Sequence, residues 1–125
     1  MGYKILVVND EPQIVKVLEK FLVKEGFEVF TALGGEKALE IIKTHHDIDL
    51  LILDIKMPKM RGLEILRIMK EEFKKYIPVI ILTGSINIYK YAPDLEKIGY
   101  SINDILIKPV DFEELLGRIE EKLRR

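Results

Sequence analysis

Short, uniformly apolar or β-branched runs alternate along the chain with stretches whose apolar residues recur every three or four positions. Tyr3-Lys4-Ile5-Leu6-Val7-Val8 opens this series as a strand. Pro12 follows where a first helical turn tolerates proline, whose missing donor would be an orphan anyway. Val15, Leu18, Phe21 and Leu22 fall on one face of a helix to about Glu25, and Gly26 is placed to stop it. Phe27–Thr31 reads as a second strand, and Gly35–Thr44 as a helix with Ala38, Leu39, Ile41 and Ile42 inward. Leu50-Leu51-Ile52-Leu53 and Val79-Ile80-Ile81-Leu82 have no polar face, which predicts central parallel strands covered on both sides.

Between those two strands, Leu63, Leu66 and Met69 after Gly62 mark a third helix with Ile65 on its flank. Ser85 to Tyr91 has no clean helical period, so a loop is expected to about Ala92, then a short helix over Pro93–Ile98. Ile105-Leu106-Ile107 is the fifth strand, and Asp111 with Glu114 predicts an acidic capping box opening the last helix. Strand–helix alternation implies parallel pairing through right-handed crossovers, hence an α/β three-layer sandwich of five strands and five helices, the fourth short or irregular. Such a fold places its functional crevice at the carboxyl ends of the strands, near a topological switch point.

Composition narrows the function. A chain of 125 residues, 48% hydrophobic and 33% charged, fits one domain (1–125, with no output domain). It carries no cysteine, which removes disulfides, thiolate metal sites and a cysteine nucleophile. Twenty basic and 21 acidic residues, a net charge of -1, leave no footprint for nucleic acid. No apolar run approaches the roughly 18–20 residues that span a bilayer, and a cytoplasmic location is expected.

The chemistry gathers at the strand ends. The first strand runs into Asn9-Asp10-Glu11, the third into Asp54, the fourth into Thr83 and the fifth into Lys108-Pro109. Carboxylates, a hydroxyl and an ammonium thus approach one point. Taken singly, each has a bland reading: Asp10 and Glu11 as charges on a helix start, Asp54 as a turn residue, Thr83-Gly84 and Lys108-Pro109 as strand exits. Together they suit Mg²⁺, which takes oxygen ligands and keeps several waters, so Asp10, Asp54 and a backbone carbonyl near Lys56 suffice. Lys108 supplies a point charge to carboxylate or phosphoryl oxygen, and Thr83 a donor that follows an attached phosphoryl group.

Val7-Val8-Asn9-Asp10-Glu11-Pro12, Asp54-Ile55-Lys56-Met57-Pro58 with Gly62, Leu82-Thr83-Gly84 and Lys108-Pro109 resemble the response-regulator receiver domain, over essentially the whole chain. The resemblance implies a flavodoxin-like sheet of order 2-1-3-4-5 and a cis peptide before Pro109. It also implies phosphoryl transfer to Asp54 from a histidine kinase or phosphotransfer protein, with Mg²⁺ at Asp10. Output would pass to a downstream protein, through the helix-four, strand-five and helix-five face.

Three departures stand out. Asn9 occupies the place of the family's usual first acid; its amide oxygen can still accept from a metal-bound water, but carries no charge, which predicts weaker Mg²⁺ binding than Asp would give. Ile105 stands where an aromatic often turns inward, and the Thr83 to Lys108 segment is longer than usual on both sides of Gly99. Lys56, two past the acceptor, lies near the path of a hydrolytic water. Among rivals, a flavin or nucleotide carrier would want an amide-exposing loop after strand one, not acids. An aspartate-based phosphohydrolase would want an acid where Lys56 stands, and a receiver-like adaptor working without phosphate is the alternative that Asn9 and Ile105 keep open.

Overall fold

The computed structural model describes residues 2–55, 62–84 and 87–124. Its elements alternate as the pattern requires: β1 (Lys4–Val8), α1 (Pro12–Lys24), β2 (Glu28–Ala32), α2 (Gly35–Thr44), β3 (Leu50–Asp54), α3 (Gly62–Glu71), β4 (Val79–Thr83), α4 (Ala92–Lys97), β5 (Ile105–Ile107) and α5 (Phe112–Leu123). The strands form one parallel sheet of order β2-β1-β3-β4-β5. Successive strand residues point to opposite faces, so the sheet builds two cores. Leu6, Leu51, Leu53, Val79 and Ile81 pack on one side with residues of α2, α3 and α4. Ile5, Leu50, Ile52, Ile80 and Leu106 pack on the other with Leu18 and Leu22 of α1 and Leu115 and Ile119 of α5. Every residue of β3 and β4 is buried, as runs without a polar face demand. Among the described residues, no helix is long and apolar enough to cross a membrane.

Several local expectations shift. β2 lies one residue later than its apolar pattern suggested, Glu28–Ala32. Ile65 is wholly buried with Leu66 and Met69, while Leu63 is only partly covered, so the inward face of α3 is rotated from the expected one. Phe21 is likewise only partly buried and stacks on Phe112 at 4.6 Å, tying α1 to α5. Asp111 does cap α5, but its carboxylate accepts from the Glu113 amide at 2.9 Å, and Glu114 lies towards Arg118 at 3.9 Å.

The segment expected as a loop contains a 3₁₀ turn, Ile88–Tyr91, which leads directly into α4 with Pro93 in its first turn. Ile88 and Tyr91 pack on the core, so burial organises a stretch that lacks helical periodicity. Gly99, at φ 88°, reverses the chain after α4. A second 3₁₀ turn, Ile102–Asp104, then forms inside a capping box between Ser101 and Asp104. Lys122 of α5 pairs with Asp104, and Arg118 donates to the Asn103 and Ile105 carbonyls at 3.2 and 3.4 Å. Residues 103–105 are thus held against α5.

Tyr100 anchors the same segment. Its ring stacks on Tyr76 at 5.1 Å, and its hydroxyl donates to the Ile77 carbonyl at 2.8 Å. Burial pushes the phenol well above its ordinary value of 10.0. The folded state therefore holds this proton more tightly than the unfolded state. Its contribution to stability is complete below pH 10.0 and falls away as pH rises above that value. Tyr100→Phe is expected to cost about 1–2 kcal/mol in urea unfolding at pH 7, by leaving a buried carbonyl unpaired. That gap should narrow above about pH 10, because the variant has no phenol to ionise.

Candidate functional site

Parallel order puts the ends of β1, β3, β4 and β5 side by side. Val8 pairs with Leu53, which sets Asn9 beside Asp54, and Thr83 pairs with Ile107, which sets Lys108 beyond it. Backbone hydrogen bonds continue past the strands: Asn9 N to Ala32 O at 3.2 Å, Ile55 N to Leu82 O at 3.1 Å, and Lys108 N to Thr83 O at 2.7 Å. The Lys108–Pro109 peptide is cis, as the resemblance implied.

Asp54 is 5% exposed, and its Oδ2 accepts from Lys108 Nζ at 2.9 Å. A carboxylate this buried requires a cationic or hydrogen-bonding partner, and a residue 54 positions away supplies it. Thr83 is 1% exposed at the end of the adjacent strand. Asp10 is half-buried just past β1. Lys56, Met57, Pro58 and Met60 lie outside the described residues, so the expected Lys56 carbonyl ligand and the Lys56 charge do too.

Asn9 is held from both ends of its amide. It is buried, its Oδ1 accepts from the Glu11 amide at 2.9 Å, and its Nδ2 donates to Asp54 Oδ2 at 3.3 Å. The oxygen expected to meet a metal-bound water is engaged by the backbone, and the amine faces the Asp54 carboxylate.

Gly62 supports the site from beneath. A Cβ there would stand 2.7 Å from the Asp54 carbonyl oxygen and 3.1 Å from Ile55 Cα. The Gly62 amide also donates to the Ile55 carbonyl at 3.1 Å. The glycine in the motif therefore reflects backbone packing directly behind Asp54. Beside Lys108, an apolar groove of about 440 Å³ opens between α1 and the start of α5, lined by Ile14, Val17, Leu18, Pro109, Val110 and Phe112. A broader groove of about 660 Å³ runs along Ile88, Tyr89, Ile105, Ile107 and Arg118. Tyr89 is 71% exposed at its edge, whereas Ile105 is buried. His45 ends α2 with its ring edge-on to Phe30 at 4.8 Å, and among the described residues it joins no cluster of metal-ligating side chains.

The oxygen donors at the ends of β1 and β3 fit a hard divalent cation. Asp10 lies just past β1 and Asp54 ends the neighbouring β3, and Asp10 is partly exposed to solvent.

The sequence profile of the response regulator receiver domain matches residues 5–120. Response regulator ArlR of Staphylococcus aureus is 37% identical over 122 residues, covering 98% of this chain and 53% of that protein, so the chain spans about half the length of this relative. The crystal structure of a response regulator receiver domain protein from Clostridium thermocellum superposes with a TM-score of 0.85 at 35% identity, covering 98% of this chain and 95% of that one. A CheY-like receiver domain protein from Methanospirillum hungatei gives 0.84 at 29% identity, covering 99% and 95%. Receiver domains are phosphoacceptors of two-component signalling rather than enzymes, and their family works with histidine kinases and Mg²⁺. Sheet order, strand-end chemistry and sequence profile agree along nearly the whole chain, and this protein belongs to the response-regulator receiver family.

Proposed function

We propose that this chain is a cytoplasmic phosphorylation switch whose acceptor is Asp54, charged by a histidine kinase or phosphotransfer protein. The observation that carries this reading is the buried Asp54 carboxylate held by Lys108 at 2.9 Å, with Thr83 at the neighbouring strand end. An Asp54 oxygen attacks the donor's phosphorus in line. The new P–O bond forms as the P–N bond to the donor imidazole breaks, and the imidazole nitrogen keeps the electron pair and takes a proton. Lys108 offsets the charge gathered on the carboxylate and the incoming oxygens. Asp10, Asp54 and the Lys56 backbone carbonyl would hold Mg²⁺, which supplies charge that lowers repulsion between the two anions.

The groove beside Lys108 gives a donor protein an apolar seat next to the acceptor. Thr83 donates to the attached phosphoryl group and draws the end of β4 inward. Lys108 N is bonded to Thr83 O, so β5 receives that movement directly. Output then passes to a downstream protein through the α4, β5 and α5 face, where Tyr89 and Ile107 are exposed.

The test is incubation with Mg²⁺ and a small phosphodonor such as acetyl phosphate, read by intact mass, with Asp54→Asn alongside. One added phosphoryl mass is expected on the starting protein and none on the variant. An unchanged mass on the starting protein would favour an adaptor that signals without phosphate.

A further inference from the structure

Asn9 is a buried polar side chain, 1% exposed, with a defined orientation. The Glu11 N–H can be met only by an acceptor, so the carboxamide oxygen must face it, at 2.9 Å. The amine is thereby directed to Asp54 Oδ2 at 3.3 Å, the same oxygen that receives Lys108 at 2.9 Å. The Asn9 backbone is fixed as well, through its N–H to the Ala32 carbonyl.

We propose that Asn9 is a positioning residue that pairs with the Asp54 carboxylate in the absence of metal, so that the resting site is satisfied without Mg²⁺. An aspartate at position 9 could still accept from Glu11 N–H, because it keeps an oxygen there. It could not donate to Asp54, and would bring a second carboxylate to about the same separation. Such a pair is held together by a divalent cation and destabilised without one. Asn9 removes that dependence: the acceptor keeps its partners when the metal leaves, and metal binding contributes little to folding. This deepens the phosphoacceptor reading and rests on it only for the meaning of Asp54. The hydrogen-bond pair itself is independent of whether Asp54 is ever phosphorylated.

The test is thermal unfolding in EDTA and in excess Mg²⁺, with no phosphodonor present. Four proteins close a double-mutant cycle: the starting chain, Asn9→Asp, Asp54→Asn and the double variant. In EDTA, Asn9→Asp is expected to lower Tm by roughly 5–10 °C when Asp54 is intact. In the Asp54→Asn background the same change should cost little, because the amide introduced at position 54 can donate to the new carboxylate and restore the pair in reverse. Mg²⁺ should raise the Tm of Asn9→Asp several times more than that of the starting chain.

Equal losses in both backgrounds would mean that the cost does not arise from the pair with Asp54 and would overturn the proposal. So would an Asn9→Asp protein that melts with the starting chain in EDTA. Should Asn9→Asp fail to fold in EDTA, a folded double variant supports the pairing and an unfolded one overturns it. Absence of phosphoryl uptake in the mass experiment would leave this cycle unaffected.

Discussion

Lys108→Ala is expected to slow phosphoryl uptake from a small donor by roughly 10- to 100-fold while leaving the chain folded. The lysine places a cation on Asp54, at 2.9 Å from Oδ2. Its side chain is 29% exposed, so solvent screens part of its charge, and the effect should lie below that of a fully enclosed donor. Asn9 still donates to the same oxygen, which keeps the buried carboxylate from being stranded. A stability loss of about 1–3 kcal/mol is therefore expected, well short of unfolding the domain. Stopped-flow or time-resolved intact-mass measurement of the uptake rate, beside a urea melt, separates the two effects. A rate equal to that of the starting chain would remove Lys108 from the transfer step.

Gly62→Ala should damage the fold through backbone packing. A methyl group at this position meets the Asp54 carbonyl oxygen at 2.7 Å, Ile55 Cα at 3.1 Å and Leu53 Cγ at 3.2 Å. Two of these three atoms are backbone, which cannot rotate aside as a side chain can. Alanine gains at most about 1 kcal/mol over glycine in helix propensity. Overpacking against a central strand costs about 1–3 kcal/mol, and more where the backbone itself must yield. A net loss of about 2 kcal/mol, or a Tm lower by roughly 10 °C, is the expected outcome. The displaced atoms belong to Asp54, the proposed acceptor, and its two chain neighbours, so phosphoryl uptake should fall along with the melting temperature. A variant that melts with the starting chain would mean that α3 slides aside freely.

The order of elements was legible because each strand and helix announces itself through its own period. Leu50–Leu53 and Val79–Leu82 have no polar face, and only central strands tolerate that. Asp10, Asp54, Thr83 and Lys108 could be grouped because parallel topology returns every strand end to one edge. Details decided by a single partner elsewhere in the chain were not legible. Nothing adjacent to Tyr100 indicates that its hydroxyl meets Ile77, nor does the sequence near Asp104 point to Lys122. The capping box at Ser101 does follow a readable pattern, a serine with an acid three residues on, and was obscured by the irregularity around it. Asn9 could be recognised as a departure, but its hydrogen-bonding sense depends on which neighbour holds its oxygen.

The hydrogen-bond ladder that outlasts the strands has one further consequence. Asn9, Ile55 and Lys108 lie past the last residues of β1, β3 and β5, yet their amides are tied laterally to Ala32, Leu82 and Thr83. Opening any one strand end means breaking bonds to its neighbour, so these residues share the cooperativity of the sheet rather than that of the loops. The Asp54 strand end is therefore expected to open with the sheet rather than with the loops. Under the proposed function, a change of charge at Asp54 would pass on as a small concerted displacement of joined strand ends, not as local melting.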